Sequence, residues 1–324
     1  MRAVRTDSLD SVADYRLIDL PKPQPGAGEV RIKVVACGVG YVDALIALGR
    51  YQVKPSLPHI PGSEVAGVVD AVGGDVVGLA VGDRVMAQVG AGFAQFAIAR
   101  PGSVVRLPPR MTFEQACGFR VNYVTALHGL RDRAALKPGE RVLVSGAAGG
   151  VGLAAVQIGK ALGATVIACA STEEKRAFAM AAGADQAIDT DPEGWRDRLK
   201  ALTDGAGVDV YFDPVCGPLF EMAFRSLAWG GRHLVVGFVG GPIPALPANL
   251  PLMKGAALVG VDVRQFGLHE AANSRQTLDE LLAWIHERRF TPIVGRQFGF
   301  DDFAQALEFA LSGQGLGKTV LTVE

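Results

Sequence analysis

A run of small residues, Ser145-Gly146-Ala147-Ala148-Gly149-Gly150-Val151-Gly152, is the stretch of this chain whose residue types and spacing point most directly to chemistry. Glycine lets a backbone turn tightly and lets a phosphate reach N–H groups that a β-carbon would hold off. The run follows a short apolar segment of β type, Val142-Leu143-Val144, and leads into a helical pattern with Val151, Ala154, Ala155, Ile158, Ala161 and Leu162 on one face. Strand, glycine turn and helix in that order are the context of a dinucleotide fingerprint. The pyrophosphate rests on the positive end of the helix, and Gly152 lets helix and strand pack closely. Ala148, Gly149, Gly150, Val151 and Gly152 are therefore expected to hold a dinucleotide.

The residues after the next strand bear on which dinucleotide. Where the ligand is NAD, an Asp or Glu about 20 residues past the glycines binds the adenosine ribose. Here that place is Ala170, so the carboxylate that would repel a 2′-phosphate is missing. The hydroxyls of Ser171 and Thr172 can bond such a phosphate and Lys175 or Arg176 can neutralise it, with Glu173 and Glu174 acting against them. The balance favours NADPH over NADH. Phe238, just past the strand pattern at His233–Gly237, is a further cofactor-binding candidate.

These residues need a scaffold, and the chain supplies two kinds. From Val142 onward strand and helix alternate, with strands at 142–144, 165–169, 186–188, 208–212, 233–237 and 257–261. Six strands with crossovers suit a doubly wound parallel sheet that binds its ligand at the strands' carboxyl ends. Before that come short β-type runs separated by turn residues, at Val30–Ala36, Val65–Val72, Arg84–Ala87, Phe93–Ala99 and Val104–Leu107, with a short helix at Asp43–Leu48. In the first run Arg31 and Lys33 fall on the polar side. After about residue 265 the α/β series stops, a helix at Ser274–Arg288 follows, and a β-type tail encloses a helix at Phe303–Leu311. The expected class is α/β: a Rossmann sheet beside a β-barrel-like domain. Its boundaries are read at 1–122, 123–264 and 265–324, the last segment returning to the first domain.

Composition narrows the function classes. A chain of 324 residues with 49% hydrophobic residues, 20% charged residues and a formal net charge of −1 has the make-up of a two-domain globular protein. No basic block suits a nucleic-acid backbone, no apolar run of about 18 residues suits a membrane span, and the N-terminus lacks a signal-peptide pattern. The four cysteines, Cys37, Cys117, Cys169 and Cys216, are far apart and form no CxxC pair, so they read as reduced core thiols of a cytoplasmic protein.

Several motifs together resemble the medium-chain dehydrogenase/reductase superfamily, and within it the zinc-free quinone oxidoreductases of the zeta-crystallin group. They are Gly49-Arg50-Tyr51, Pro61-Gly62-Ser63-Glu64-Val65-Ala66-Gly67, Gly82-Asp83-Arg84-Val85, Asn122-Tyr123-Val124-Thr125-Ala126, the glycine run and Gly317-Lys318. The resemblance implies a GroES-like catalytic domain around the Rossmann domain, and homodimers formed through the last Rossmann strands. It also implies NADPH-dependent hydride transfer to a quinone or related α,β-unsaturated carbonyl. Zinc-dependent members need a Cys and a His where this chain has Gly40 and Ser63, so no catalytic zinc is expected. Tyr51 maps to a proton donor of related enoyl-thioester reductases, and an aromatic of the barrel wall is its plainer reading. Thr125 maps close to the nicotinamide, or it bonds back to its own helical turn. Asn122 and Tyr123 are weaker candidates, and His59, near Glu64 in sequence, reads as a polar loop residue. Two alternatives stand beside quinone reduction: an enoyl- or acryloyl-CoA reductase, and an NADPH-binding sensor or structural protein with little turnover.

Overall fold

The short alternating runs of the N-terminal part become strands that pair with one another. In the computed structural model, which describes residues 1–323, they are β1 (Arg2–Arg5), β2 (Arg16–Asp19), β3 (Val30–Val39), β4 (Glu64–Val72), β5 (Arg84–Gln88), β6 (Phe96–Ala99) and β7 (Val104–Arg106). Helix α1 (Tyr41–Ala47) lies between β3 and β4, and α2 (Phe113–Ala116) follows β7. The longest strand, β3, is the hub, antiparallel to β4 on one side and to β6 over its first residues. Its inward residues Val30, Ile32 and Val34 join Val65, Val69 and Phe93 in one core. Arg31 departs from the polar face expected of it. It is buried, with Nε donating to Asp70 at 2.6 Å and Nη1 donating to the Pro23 carbonyl at 2.7 Å, so a partner and not exposure satisfies its charge.

Helix α3 (Arg120–Leu127) then widens into a π-type turn at His128–Arg133 and leads to the alternating series. The series runs β8 (Arg141–Ser145), α4 (Gly150–Ala161), β9 (Thr165–Cys169), α5 (Glu173–Ala181), β10 (Gln186–Ile188), α6 (Trp195–Leu202), β11 (Val208–Asp213), α7 (Phe220–Arg225), β12 (Leu227–Val235), α8 (Asn249–Lys254) and β13 (Ala257–Gly260). The strands are parallel and ordered β10-β9-β8-β11-β12-β13, the doubly wound arrangement. Chain order reverses between β8 and β11, which puts the binding crevice at their carboxyl ends.

The chain divides into Met1–Arg120 with Pro292–Glu324, and Val121–Thr291. The return to the first unit therefore comes at 292 and not at 265, which corrects the sequence boundary. Helices α9 (Val263–His269) and α10 (Ala271–His286) stay with the Rossmann sheet. Side chains hold them there. Arg131 donates to Glu280 at 2.5 Å and to Thr277 at 3.0 Å, the Phe290 ring stacks on Tyr123 at 5.1 Å, and Gln157 donates to the Thr291 carbonyl at 2.9 Å. Beyond 292 come β14 (Val294–Gly299), α11 (Phe303–Leu311) and β15 (Lys318–Thr322). The last of these lies antiparallel to β3, with Thr319 opposite Val39 and Thr322 opposite Ala36.

Candidate active site

The glycine run forms the turn its spacing demands. Strand β8 ends at Ser145, Gly146 turns the chain at φ +56°, and Gly149 bonds back to the Gly146 carbonyl at 2.9 Å before capping α4. A β-carbon on Gly152 would stand 2.2 Å from the Gly146 oxygen, so helix and turn can approach this closely only through glycine. At Gly150 a β-carbon would meet the Asn122 amide at 2.9 Å. The first N–H groups of α4, from Gly150, Val151 and Gly152, have no carbonyl one turn earlier in the helix to take them, and the helix dipole adds positive charge there. The cradle fits a pyrophosphate. Ala148, buried inside the turn, contributes shape and no side-chain bond.

At the end of β9, Ala170 is buried and its N–H is taken by the Ile188 carbonyl at 3.1 Å, so no side chain reaches for a ribose from this position. Ser171 and Thr172 are exposed. The Thr172 hydroxyl oxygen accepts the Lys175 N–H at 3.2 Å as the cap of α5, which leaves its proton free to be donated. Arg176 folds over the strand end with Nη1 donating to the Ala170 carbonyl at 3.0 Å. Arg176 thus brings positive charge to the strand end beside the hydroxyl pair, and Lys175 follows that pair in the first turn of α5. Phe238 lies in the loop after β12 with its ring partly exposed. Thr125 is buried in α3, and its hydroxyl donates to the Val121 carbonyl at 2.6 Å. The back-bonded reading of Thr125 is the one realised, leaving only its lone pairs for a ligand. Tyr123 is a framework residue, with its hydroxyl donating to Gln157 at 2.5 Å.

In the GroES-like unit Tyr51 lies, partly buried, in the bend that follows α1. Near the start of that helix stands a polar cluster the sequence did not announce. Asp43 accepts the Gly40 N–H at 2.8 Å on one carboxylate oxygen and the Ser63 hydroxyl at 2.6 Å on the other. The Lys318 ammonium reaches in from β15 and stands 4.0 Å from both Asp43 and Glu64. Burial works against its charge, but the two carboxylates outweigh that and hold it above the usual lysine range. Three glycines make room for this side chain: a β-carbon would meet Lys318 at 2.3 Å from Gly118, 2.9 Å from Gly38 and 3.0 Å from Gly40. Cys37 and Cys117, beside this corridor, are fully buried, and burial raises both thiols far above the ordinary cysteine value. His59 is buried too, its ring edge-on to Tyr15, and burial lowers its pKa.

Comparison with known proteins places this geometry. Residues 26–109 match the family model described as alcohol dehydrogenase GroES-like domain, and residues 150–287 match that described as zinc-binding dehydrogenase. Human quinone oxidoreductase is 34% identical over 325 residues, covering 99% of this chain and 97% of its own length. The quinone oxidoreductase-like protein 2 homolog of Nematostella vectensis is 35% identical, covering 92% of this chain and 83% of its own. The quinone oxidoreductase of Thermus thermophilus, whose structure was also solved in complex with NADPH, superposes with a TM-score of 0.87 at 34% identity over 100% of both chains. The chain belongs to the quinone oxidoreductase family of medium-chain dehydrogenases/reductases.

Within that family the question of zinc is decided by the donors. Gly40 offers no side chain, and the place where one would begin is already 3.0 Å from the Lys318 ammonium. Ser63 spends its proton on Asp43. Zinc takes thiolate, imidazole or carboxylate ligands, and these two positions do not fit it. No local spacing announces the roles of Asp43 and Lys318, which arise from residues scattered along the chain, although Gly317-Lys318 is among the family motifs.

Proposed function

We propose that this chain reduces a quinone or a related α,β-unsaturated carbonyl with NADPH, without a metal. The observation that carries the reading is the end of β9, where buried Ala170 stands in place of the ribose-binding acid, the exposed Thr172 caps α5 and the Arg176 guanidinium folds back onto the Ala170 carbonyl. When bound, NADPH supplies the hydride. The protein's share is to grip the pyrophosphate on the Gly149–Gly152 turn, to bind the 2′-phosphate at Ser171, Thr172 and Lys175, and to hold the nicotinamide near Thr125 and Phe238. A quinone or enone is already an electron sink, so it needs a hydrogen-bond donor and a proton more than a Lewis acid. Tyr51 is the group proposed to give that proton.

The proposal includes a homodimer built through β13. This strand ends the six-stranded sheet and carries exposed Leu258, while Trp229 is 80% exposed and Leu252 81%. An apolar strand edge flanked by large exposed side chains favours pairing with a second copy. Among the described residues no helix is long and apolar enough to cross a membrane, and the cytoplasm is the proposed compartment. The test is NADPH consumption with 1,4-benzoquinone, 9,10-phenanthrenequinone, a simple enone and crotonyl-CoA. Fastest turnover with the quinones is expected. A clear preference for crotonyl-CoA would replace the reading with an enoyl-thioester reductase, and tight NADPH binding without turnover would replace it with a sensor.

A further inference from the structure

The carboxyl ends of β8 and β11 flank the point where the sheet reverses its chain order, and one buried carboxylate joins them. Asp213, the last residue of β11, is fully buried. Its Oδ1 accepts the hydroxyl of Ser145, the last residue of β8, at 2.5 Å. The same oxygen accepts the N–H groups of Val215 at 3.0 Å and Cys216 at 2.9 Å. Its Oδ2 meets Nε2 of His233 on β12 at 3.1 Å. Burial opposes the Asp213 charge, yet bonds from His233, Ser145 and the Cys216 N–H outweigh it and keep the carboxyl below its ordinary range. Rings of Tyr211 and Phe220 enclose His233 at 4.5 Å each. Only Ser145 borders the glycine turn, and none of these groups is among the residues assigned to the phosphates.

What the carboxylate holds are the walls of the crevice. Ser145 immediately precedes Gly146, the left-handed residue that starts the dinucleotide turn. Cys216 takes φ +46°, a conformation costly for a residue with a side chain, and the bond from its N–H to Asp213 helps fix it. The loop after β12 then closes on the loop after β11. Val236 N–H donates to the Asp213 carbonyl at 3.0 Å and Gly240 N–H to the Val215 carbonyl at 2.8 Å, with Phe238 carried between them. A β-carbon on Gly240 would stand 2.7 Å from Gly217 Cα, so the two loops are in close contact.

We infer that Asp213, through Ser145 and the Val215–Cys216 backbone, is a positioning residue for the dinucleotide, setting the spacing of the loops on either side of the switch-point crevice. A bond that served stability alone would leave NADPH affinity unchanged when lost, so a binding experiment separates the two roles. The inference rests on NADPH being the ligand and not on what accepts the hydride.

The test compares Ser145→Ala, Ser145→Thr and Asp213→Asn with a control at the opposite end of β11. Thr203, fully buried before the start of that strand, donates to the Leu199 carbonyl at 3.0 Å and accepts the Gly207 N–H at 3.2 Å. Thr203→Ala therefore loses a buried hydroxyl of the same kind away from the crevice. NADPH affinity is read from nicotinamide fluorescence, with thermal unfolding of each variant alongside. Ser145→Ala is expected to weaken NADPH about tenfold and Asp213→Asn further, with Ser145→Thr near wild type and Thr203→Ala unchanged in affinity. Unchanged affinity in Ser145→Ala, or an equal loss in Thr203→Ala, would overturn the inference. Should Asp213→Asn fail to fold, the serine pair and the threonine control still decide. If the affinities shift as expected while no quinone is reduced, the proposed activity falls and the positioning role stands.

Discussion

Lys318 offers the sharpest test of how the GroES-like unit is held together. Its ammonium stands 4.0 Å from the carboxylates of Asp43 and Glu64, with side-chain exposures of 13%, 8% and 5% for the three residues. At that distance and an effective dielectric constant of about 20, each pair attracts by roughly 4 kcal/mol, from which several kcal/mol of lysine desolvation must be taken. Removing the cation costs more than the net worth of the pairs, because two buried carboxylates lose its neutralising charge: about 3–5 kcal/mol. Lys318→Met, which keeps the apolar stem, should therefore lower the thermal midpoint of this unit on the order of 10 °C. Gly118→Ala should do nearly the same with the lysine still present, since the new β-carbon would lie 2.3 Å from Lys318 Cγ and force the side chain out of its corridor. The double variant Gly118→Ala with Lys318→Ala should then lose little beyond Lys318→Ala alone, because the contacts with Cγ and Cδ have gone and only that with Cβ, at 3.1 Å, remains. Denaturant unfolding of wild type and the four variants measures this coupling. Additive losses, or a Lys318→Met variant within about 1 kcal/mol of wild type, would refute the account of the corridor.

Other expectations are simpler. Glu140 is bound by both arms of the Arg232 guanidinium at 2.7 and 3.0 Å; burial opposes its charge, but Arg232 outweighs it and lowers the carboxyl pKa. Such a group stabilises the fold above its unfolded value and stops doing so as pH falls through its lower folded value. Glu140→Gln should accordingly melt below wild type at pH 7, by about 1–2 kcal/mol, and the gap should narrow as pH falls below about 4.5; a gap that does not narrow contradicts the assignment. Lys175→Glu should weaken NADPH at least tenfold while NADH affinity hardly changes, which competition binding would reveal. Tyr51→Phe should lower kcat for a quinone about tenfold or more, and unchanged turnover would end its proposed role as proton donor. Leu258→Asp on the edge strand should convert a dimer to a monomer in light scattering, whereas an unchanged mass would move the interface elsewhere.

How much of this could be read beforehand depended on how local the cause was. The six parallel strands were legible because each is a short apolar run followed by a helix. The cradle was legible because Gly146, Gly149, Gly150 and Gly152 act within one turn. Replacement of the ribose-binding acid by Ala170 was equally local. The hairpin of β1 and β2 went unread, since Arg2–Arg5 and Arg16–Asp19 show little alternation and are paired through register alone. The corridor around Lys318 could not be read, because residues 38, 40, 118 and 318 become neighbours only in the folded sheet. The Asp213 junction was hidden for the same reason: strands β8, β11 and β12 meet side by side although Ser145, Asp213 and His233 are far apart in sequence. The boundary misplaced at 265 shows the converse. α10 looks detached from the α/β rhythm, and it is Arg131, Tyr123 and Gln157 that fasten residues 271–291 to the Rossmann unit.

The pairing of β15 with β3 has a consequence for the order in which the chain takes shape. Thr319 must find Val39 across most of the polypeptide, whereas Val121–Thr291 is continuous and finds its partners within itself. Contacts so distant along the chain carry a large loop-closure cost and form slowly. On a ribosome the middle unit can collapse first, while the N-terminal sheet waits, with Ala36–Val39 of β3 lacking a partner on one side, for the last strand to emerge. Until then the strand that organises the GroES-like unit is an open template, and that interval is when this protein is most exposed to mispairing.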